Sequence, residues 1–149
     1  MRNVLVVFCI GLVGMGFLSD AFASNSDEAK AMVEAAASLA TAQGKDKAIA
    51  EINNPKSPFV KGDLYVFAYD MTATIVAHPV NPKLIGNNLY EVPDANGKLF
   101  RKEIVELAKT KGVGWVDYLY RNPTTKKVES KTTYLKKVGE IIICCGAYK

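Results

Sequence analysis

Two short runs set the architecture: Gly62-Asp-Leu-Tyr-Val-Phe-Ala-Tyr-Asp70 and Thr74-Ile-Val-Ala-His78-Pro79. Aromatic and branched residues crowd Leu64–Tyr69, and Thr74–Ala77 resumes the pattern after Asp70-Met-Thr-Ala. That is an antiparallel strand pair. Hairpins of this kind favour Asn-Gly in the turn, and its absence here predicts a longer or bulged connection. Downstream, Trp115–Arg121, Val128–Lys137 and Glu140–Tyr148 read as three further strands, broken at Asn122-Pro123 and Gly139. Their connections are too short for crossovers, so these strands must also be antiparallel.

The rest of the chain frames this sheet. Ala29, Met32, Val33, Ala36, Leu39 and Ala40 recur at three- and four-residue spacing, the mark of a helix with one apolar side. Asn25 or Ser26 would cap it, with Asp27 and Glu28 at the positive end of its dipole. Gly44 should kink or divide the helix before Ala48, Ile49 and Ile52 continue the stripe. Asn53-Asn54-Pro55 and Ser57-Pro58 end it. Pro79, Pro82 and Gly86 impose a long irregular loop, expected to cross one end of the sheet. A second helix is predicted over Leu99–Lys111, stopped by Gly112. The order predicts an α+β domain whose antiparallel sheet carries its helices on one face.

Met1–Ala23 reads as a signal peptide. Arg2 is followed by the mainly apolar Val4–Leu18, and Ala21-Phe22-Ala23 offers a small-x-small cleavage pattern. The apolar run falls short of the ~20 residues of a membrane-spanning helix. Cleavage would leave residues 24–149, a length suited to one domain with one core. The formal charge of the 149-residue chain is +4, with lysines spread over turns and strand ends. Without a basic cluster or a stripe of stacking aromatics, nucleic acid is not an expected partner.

With these segments in place, the motifs Gly62–Asp70, Thr74–Pro79, Asn81-Pro-Lys-Leu-Ile-Gly86-Asn-Asn88-Leu, Gly112-Val-Gly-Trp115-Val-Asp-Tyr118, Asn122-Pro123 and Lys131-Thr-Thr-Tyr134 form an ordered set. In that order the chain resembles the type 2 single Cache domain, an extracytoplasmic small-molecule sensor module of bacterial and archaeal receptors. The resemblance spans nearly everything after Ser57 and departs from its relatives in the Asp70–Ala73 turn, where they place Asn-Gly. It implies a PAS-like antiparallel sheet of five or six strands with a long N-terminal helix. It also implies a chemotaxis-type sensor that binds a ligand, such as a short-chain organic acid, beside the Pro79–Tyr90 loop, and performs no catalysis. Receptors built on this module continue into a membrane helix and a signalling domain. The sequence stops at Lys149, just after an apolar strand, so a free-standing periplasmic or secreted form is expected. Its candidate partners are a membrane receptor and a second copy of itself. The competing reading is an interaction module without a ligand, docking through its N-terminal helix.

The residue inventory agrees with binding rather than chemistry. His78 is the sole histidine, and a general base or zinc ligand needs partners that the sequence does not offer. No cofactor is expected. His78 has two readings: a strand-end residue that holds the following loop, or a donor facing a pocket. Cys144 and Cys145 are neighbours on a strand and point to opposite faces, so they read as free, buried thiols. The remaining ligand-binding candidates are Tyr90, Trp115, Tyr118, Lys131 and Tyr134. Trp115 and Tyr118 differ in strand parity, as do Lys131 and Tyr134, so each pair shares one pocket only if a bulge intervenes. Lys131 lies mid-strand. It is either an outward, solvated lysine or an inward one that requires an anionic partner.

Overall fold

A computed structural model describes residues 17–149, with side-chain environments from residue 25. Met1–Gly16 of the expected leader lie outside the described residues. Among the described residues no helix is long and apolar enough to cross a membrane. Helix α1 runs from Phe17 to Gln43, so its start is not the expected cap at Asn25 or Ser26. Nothing in Ser19–Asn25 breaks a helix, and the backbone continues through it. Gly44, at a φ of 91°, separates α1 from α2, Lys45–Asn53. Only a residue without a β-carbon adopts that conformation cheaply.

Strands follow as β1 (Val60–Lys61), β2 (Leu64–Asp70) and β3 (Ile75–Ala77), then helix α3 (Phe100–Thr110), β4 (Val113–Arg121), β5 (Val128–Val138) and β6 (Ile141–Tyr148). They form one six-stranded antiparallel sheet in the order β1-β2-β6-β5-β4, with β3 also paired to β2. The pairing of β2 with β3 shifts register between Ala68 and Tyr69, the bulge anticipated from the missing Asn-Gly. The turn is held by Asp70, whose carboxylate accepts from the backbone N–H groups of Thr72 (2.8 Å) and Thr74 (2.9 Å). The long loop after Pro79 folds back on it: Asn88 Nδ2 donates to the Thr72 carbonyl at 2.9 Å. The short β1 was not foreseen, since two residues show no period.

The helices do not share one face. α1 and α2 cover the side carrying Leu64, Val66, Ala68, Ile141, Ile143, Cys145 and Ala147. Helix α3 covers the other, packing Phe100, Ile104, Val105 and Ala108 against Tyr65, Phe67, Tyr69, Ile142 and Cys144. The one-face expectation fails because both faces of the central strands are buried: β2 from Leu64 to Tyr69 and all eight residues of β6. A sheet apolar on both sides needs both covered. Cys144 and Cys145 are free and buried on opposite faces. Burial pushes the Cys145 thiol up to about 12.

Candidate ligand-binding site

The face under α3 holds the candidate site. Tyr65, Phe67 and Tyr69 alternate along β2, with Tyr118 and Tyr120 on β4 and Lys131 on β5. Together with Ile75, His78 and Phe100 they enclose a cavity of about 10 Å³. That is room on the order of one water. Tyr65, His78 and Tyr120 also line an open groove of about 530 Å³ with Val80, Asn81, Leu84, Arg121, Pro123 and Lys126. These three side chains are therefore the wall between the enclosed cavity and solvent.

Lys131 points inward and is 1% exposed. Its Nζ donates to Tyr65 Oη at 3.1 Å. It stands 4.3 Å from the Tyr65 ring centre, 4.7 Å from Tyr148, and 5.4 Å from both Phe67 and Tyr120. Such distances give cation–π attraction. Among the described residues its Nζ makes no ion pair with a carboxylate; the ion pairs found involve Lys61, Lys98, Lys109, Lys136 and Lys149. A buried ammonium without a counter-ion is costly.

His78 holds the loop and also faces the cavity. Its backbone N–H donates to Asn53 Oδ1 at 2.9 Å, and its Nδ1 accepts the Asn81 backbone N–H at 3.0 Å. It thereby anchors the loop while its ring faces the cavity, 5.1 Å from the Tyr65 ring centre. Burial, then the charge of Lys131, lowers its pKa to about 4. The imidazole is neutral near pH 7, and with Nδ1 accepting, its proton sits on Nε2. Tyr118 stacks on Phe100 with ring centres 3.9 Å apart and shares a 2.8 Å hydrogen bond between its Oη and Thr133 Oγ1. Burial raises its hydroxyl pKa well above the ordinary value, so it stays protonated.

The structure brings together His78, Tyr118 and Lys131 and sets the other three candidates apart. β4 and β5 pair without a bulge from Val113↔Lys136 to Arg121↔Val128. Parity therefore holds, and Trp115 and Tyr134 lie on the α1 side, their rings 5.1 Å apart. There Tyr134 Oη donates to Glu34 Oε1 at 2.9 Å, and Lys136 pairs with the same carboxylate. Trp115 is 40% exposed. Tyr90 lines a separate surface depression of about 610 Å³ with Met71, Thr72, Asn88, Glu91, Val92 and Lys109. None of those side chains is buried.

Sequence reading missed Arg101. It is 5% exposed, Nη1 donates to the Val92 carbonyl at 3.1 Å, and its Nε has no hydrogen-bond partner among the described residues. Its guanidinium lies 4.1 Å from the Phe100 ring centre and 5.9 Å from that of Tyr120. Tyr120 thus stands between two buried cations. One signal was available: an arginine in the first turn of a helix opposes the dipole, so something other than helix stability accounts for it. The alternation Tyr65, Phe67, Tyr69 was the other.

Known proteins share this arrangement of sheet and helices. The Periplasmic sensor domain of a chemotaxis protein superposes with a TM-score of 0.69 at 24% identity, covering 89% of this chain and 97% of that one. A methyl-accepting chemotaxis protein from Vibrio parahaemolyticus gives 0.72 at 20%, covering 87% and 92%. A Cache chemosensory domain, solved as the structural basis for its carboxylic acid recognition, gives 0.70 at 24%, covering 89% and 99%. At these identities the likeness is one of fold. In sequence, the methyl-accepting chemotaxis protein McpP of Pseudomonas putida is 32% identical over 88 residues, which span 58% of this chain and 16% of that protein. The chain thus matches about one sixth of McpP's length. The model of the Single Cache domain 2 family matches residues 24–149, which take in the whole sheet, α2, α3, the enclosed cavity and α1 from Ser24 onward. The chain belongs to that family of extracytoplasmic, ligand-binding sensor domains.

Proposed function

We propose that this domain captures a short-chain carboxylate in the enclosed cavity, with Lys131 as its counter-ion. The observation that carries the reading is the buried Nζ with four aromatic rings around it and no carboxylate paired to it among the described residues. An anion entering there gains a charge-assisted hydrogen bond in a desolvated setting. Tyr65 Oη and His78 Nε2 are the adjacent donors, and the rings accept the short alkyl part. A cavity of about 10 Å³ holds no acid as it stands, so binding must displace the wall formed by Tyr65, His78 and Tyr120. His78 is tied to the loop through Asn81, so ligand entry would move that loop. This is a route from occupancy to a change at the surface. The same reading makes Met1–Ala23 a leader cleaved before Ser24. It locates the domain outside the cytoplasm and leaves transmission to a membrane receptor or a second copy of the chain.

Lys131→Met tests this, since it keeps much of the bulk and removes the charge. The lost interaction is worth about 1.5–3 kcal/mol, or roughly ten- to a hundredfold in affinity. Paired calorimetric titrations with propionate and propionamide should show that loss for the acid and little change for the amide. Equal losses for both, or none for either, would remove the anion reading.

A further inference from the structure

We propose that Gly146 is a positioning residue, the gap in β6 through which Lys131 reaches the cavity. β6 is the central strand, hydrogen-bonded to β2 on one side and β5 on the other. A glycine there weakens the strand and leaves nothing to pack. Gly44, Gly62, Gly86, Gly97, Gly112 and Gly139 all sit at positive φ, and Gly146 does not. Backbone conformation therefore gives no reason for glycine at this position.

Space does. A β-carbon on Gly146 would lie 2.3 Å from Lys131 Cε, 3.0 Å from Lys131 Cδ and 2.3 Å from Thr133 Oγ1. In the register, Gly146 faces Thr133, whereas Lys131 faces Tyr148. The lysine stem therefore leans diagonally across β6, over the glycine, and delivers Nζ to Tyr65 on β2, the strand beyond. A lysine stem in water would swing aside from an added methyl. Here the rings of Tyr65, Phe67, Tyr120 and Tyr148 hem it in. Any side chain at 146 must push Nζ off Tyr65 or disturb Thr133, the hydrogen-bond partner of Tyr118.

The consequence for binding rests on the reading of Lys131 as the carboxylate's counter-ion, and the test has an arm that does not. Propionate is titrated into wild type, Gly146→Ala, Lys131→Ala and the double variant. Gly146→Ala should weaken binding at least tenfold, and the double variant should bind no worse than Lys131→Ala, since a residue that acts through another adds nothing once that one is gone. The second arm is the NMR titration of His78, the sole histidine, whose pKa is held down by burial first, then by the charge of Lys131 and, less, by the charge of Arg101. Moving Nζ away should raise the midpoint in Gly146→Ala toward its value in Lys131→Ala. Wild-type binding with an unmoved midpoint, or losses that multiply in the double variant, would overturn the proposal. Should Gly146→Ala not fold, adding Lys131→Ala and Thr133→Ala removes both obstructing groups and should restore folding; a triple variant that stays unfolded also overturns it. If wild type binds no propionate, the carboxylate reading falls, while the His78 midpoints still decide the role of Gly146.

Discussion

The two faces of the sheet are built from alternate residues of the same strands and do different things. On the α1 side, Leu64, Val66, Ile141 and Ile143 meet a helix whose buried positions are Met32, Val33 and four alanines, Ala29, Ala36, Ala37 and Ala40. Small side chains bring the helix backbone close, and aliphatic groups fill the remaining space. On the α3 side, Tyr65, Phe67, Tyr69, Phe100 and Tyr118 pack around two buried cations and a small void. Flat rings leave gaps, and their polar edges need partners. One face is closely filled; the other is the one that a ligand would disturb under the proposed function. A single residue of register separates them.

If this division is sound, damage to one face should spare the other. Ile143→Ala, on the α1 side, removes a fully buried side chain and should cost about 2–5 kcal/mol of stability. Urea unfolding measures the loss, and propionate titration of the folded variant should give the wild-type affinity. A parallel fall in affinity would show that the faces are coupled.

The cavity side should instead announce itself through pH. The His78 pKa is lowered in the fold from 6.5 to about 4, so between those values the unfolded chain binds the extra proton. Stability from the neutral imidazole is fully present above pH 6.5 and is lost as pH falls toward 4. The shift corresponds to on the order of 3 kcal/mol. Unfolding free energies of wild type and His78→Gln, compared at pH 7 and pH 4.5, isolate this contribution from that of the carboxylates. The wild type should lose more on acidification. Equal losses would mean that His78 is freely solvated and no wall of the cavity.

The smallest effect belongs to Tyr134. Removing its hydroxyl in Tyr134→Phe breaks the bond to Glu34 and should cost about 1 kcal/mol or less, read as a small drop in melting temperature. Acid affinity should not move. A tenfold loss would return Tyr134 to the ligand site and blur the line between the faces.

Local signals were legible in the sequence. Leu64–Tyr69, Trp115–Arg121, Val128–Lys137 and the Leu99–Lys111 helix reappear within a few residues of their expected bounds, because apolar period and turn chemistry act over short range. Gly44 and Gly112 ended helices for the same reason. Parity alone already separated Trp115 from Tyr118 and Lys131 from Tyr134.

Which member of each pair faces the cavity was not a local matter. It depended on α3 crossing to the face opposite α1, through a connection whose Pro79–Leu99 stretch has no period to read. Arg101 and Phe100 entered the site with α3, and the ring of Tyr148 with β6. Gly146 is the sharpest case. Alone it reads as a weak spot in a strand, and its meaning lies in the stem of Lys131, fifteen residues earlier on the neighbouring strand. The sequence by itself determined the strands, the helices and the alternation of faces, since these depend on each residue and its near neighbours. Only the tertiary structure decided which face became the cavity, because burial is set by what packs on top.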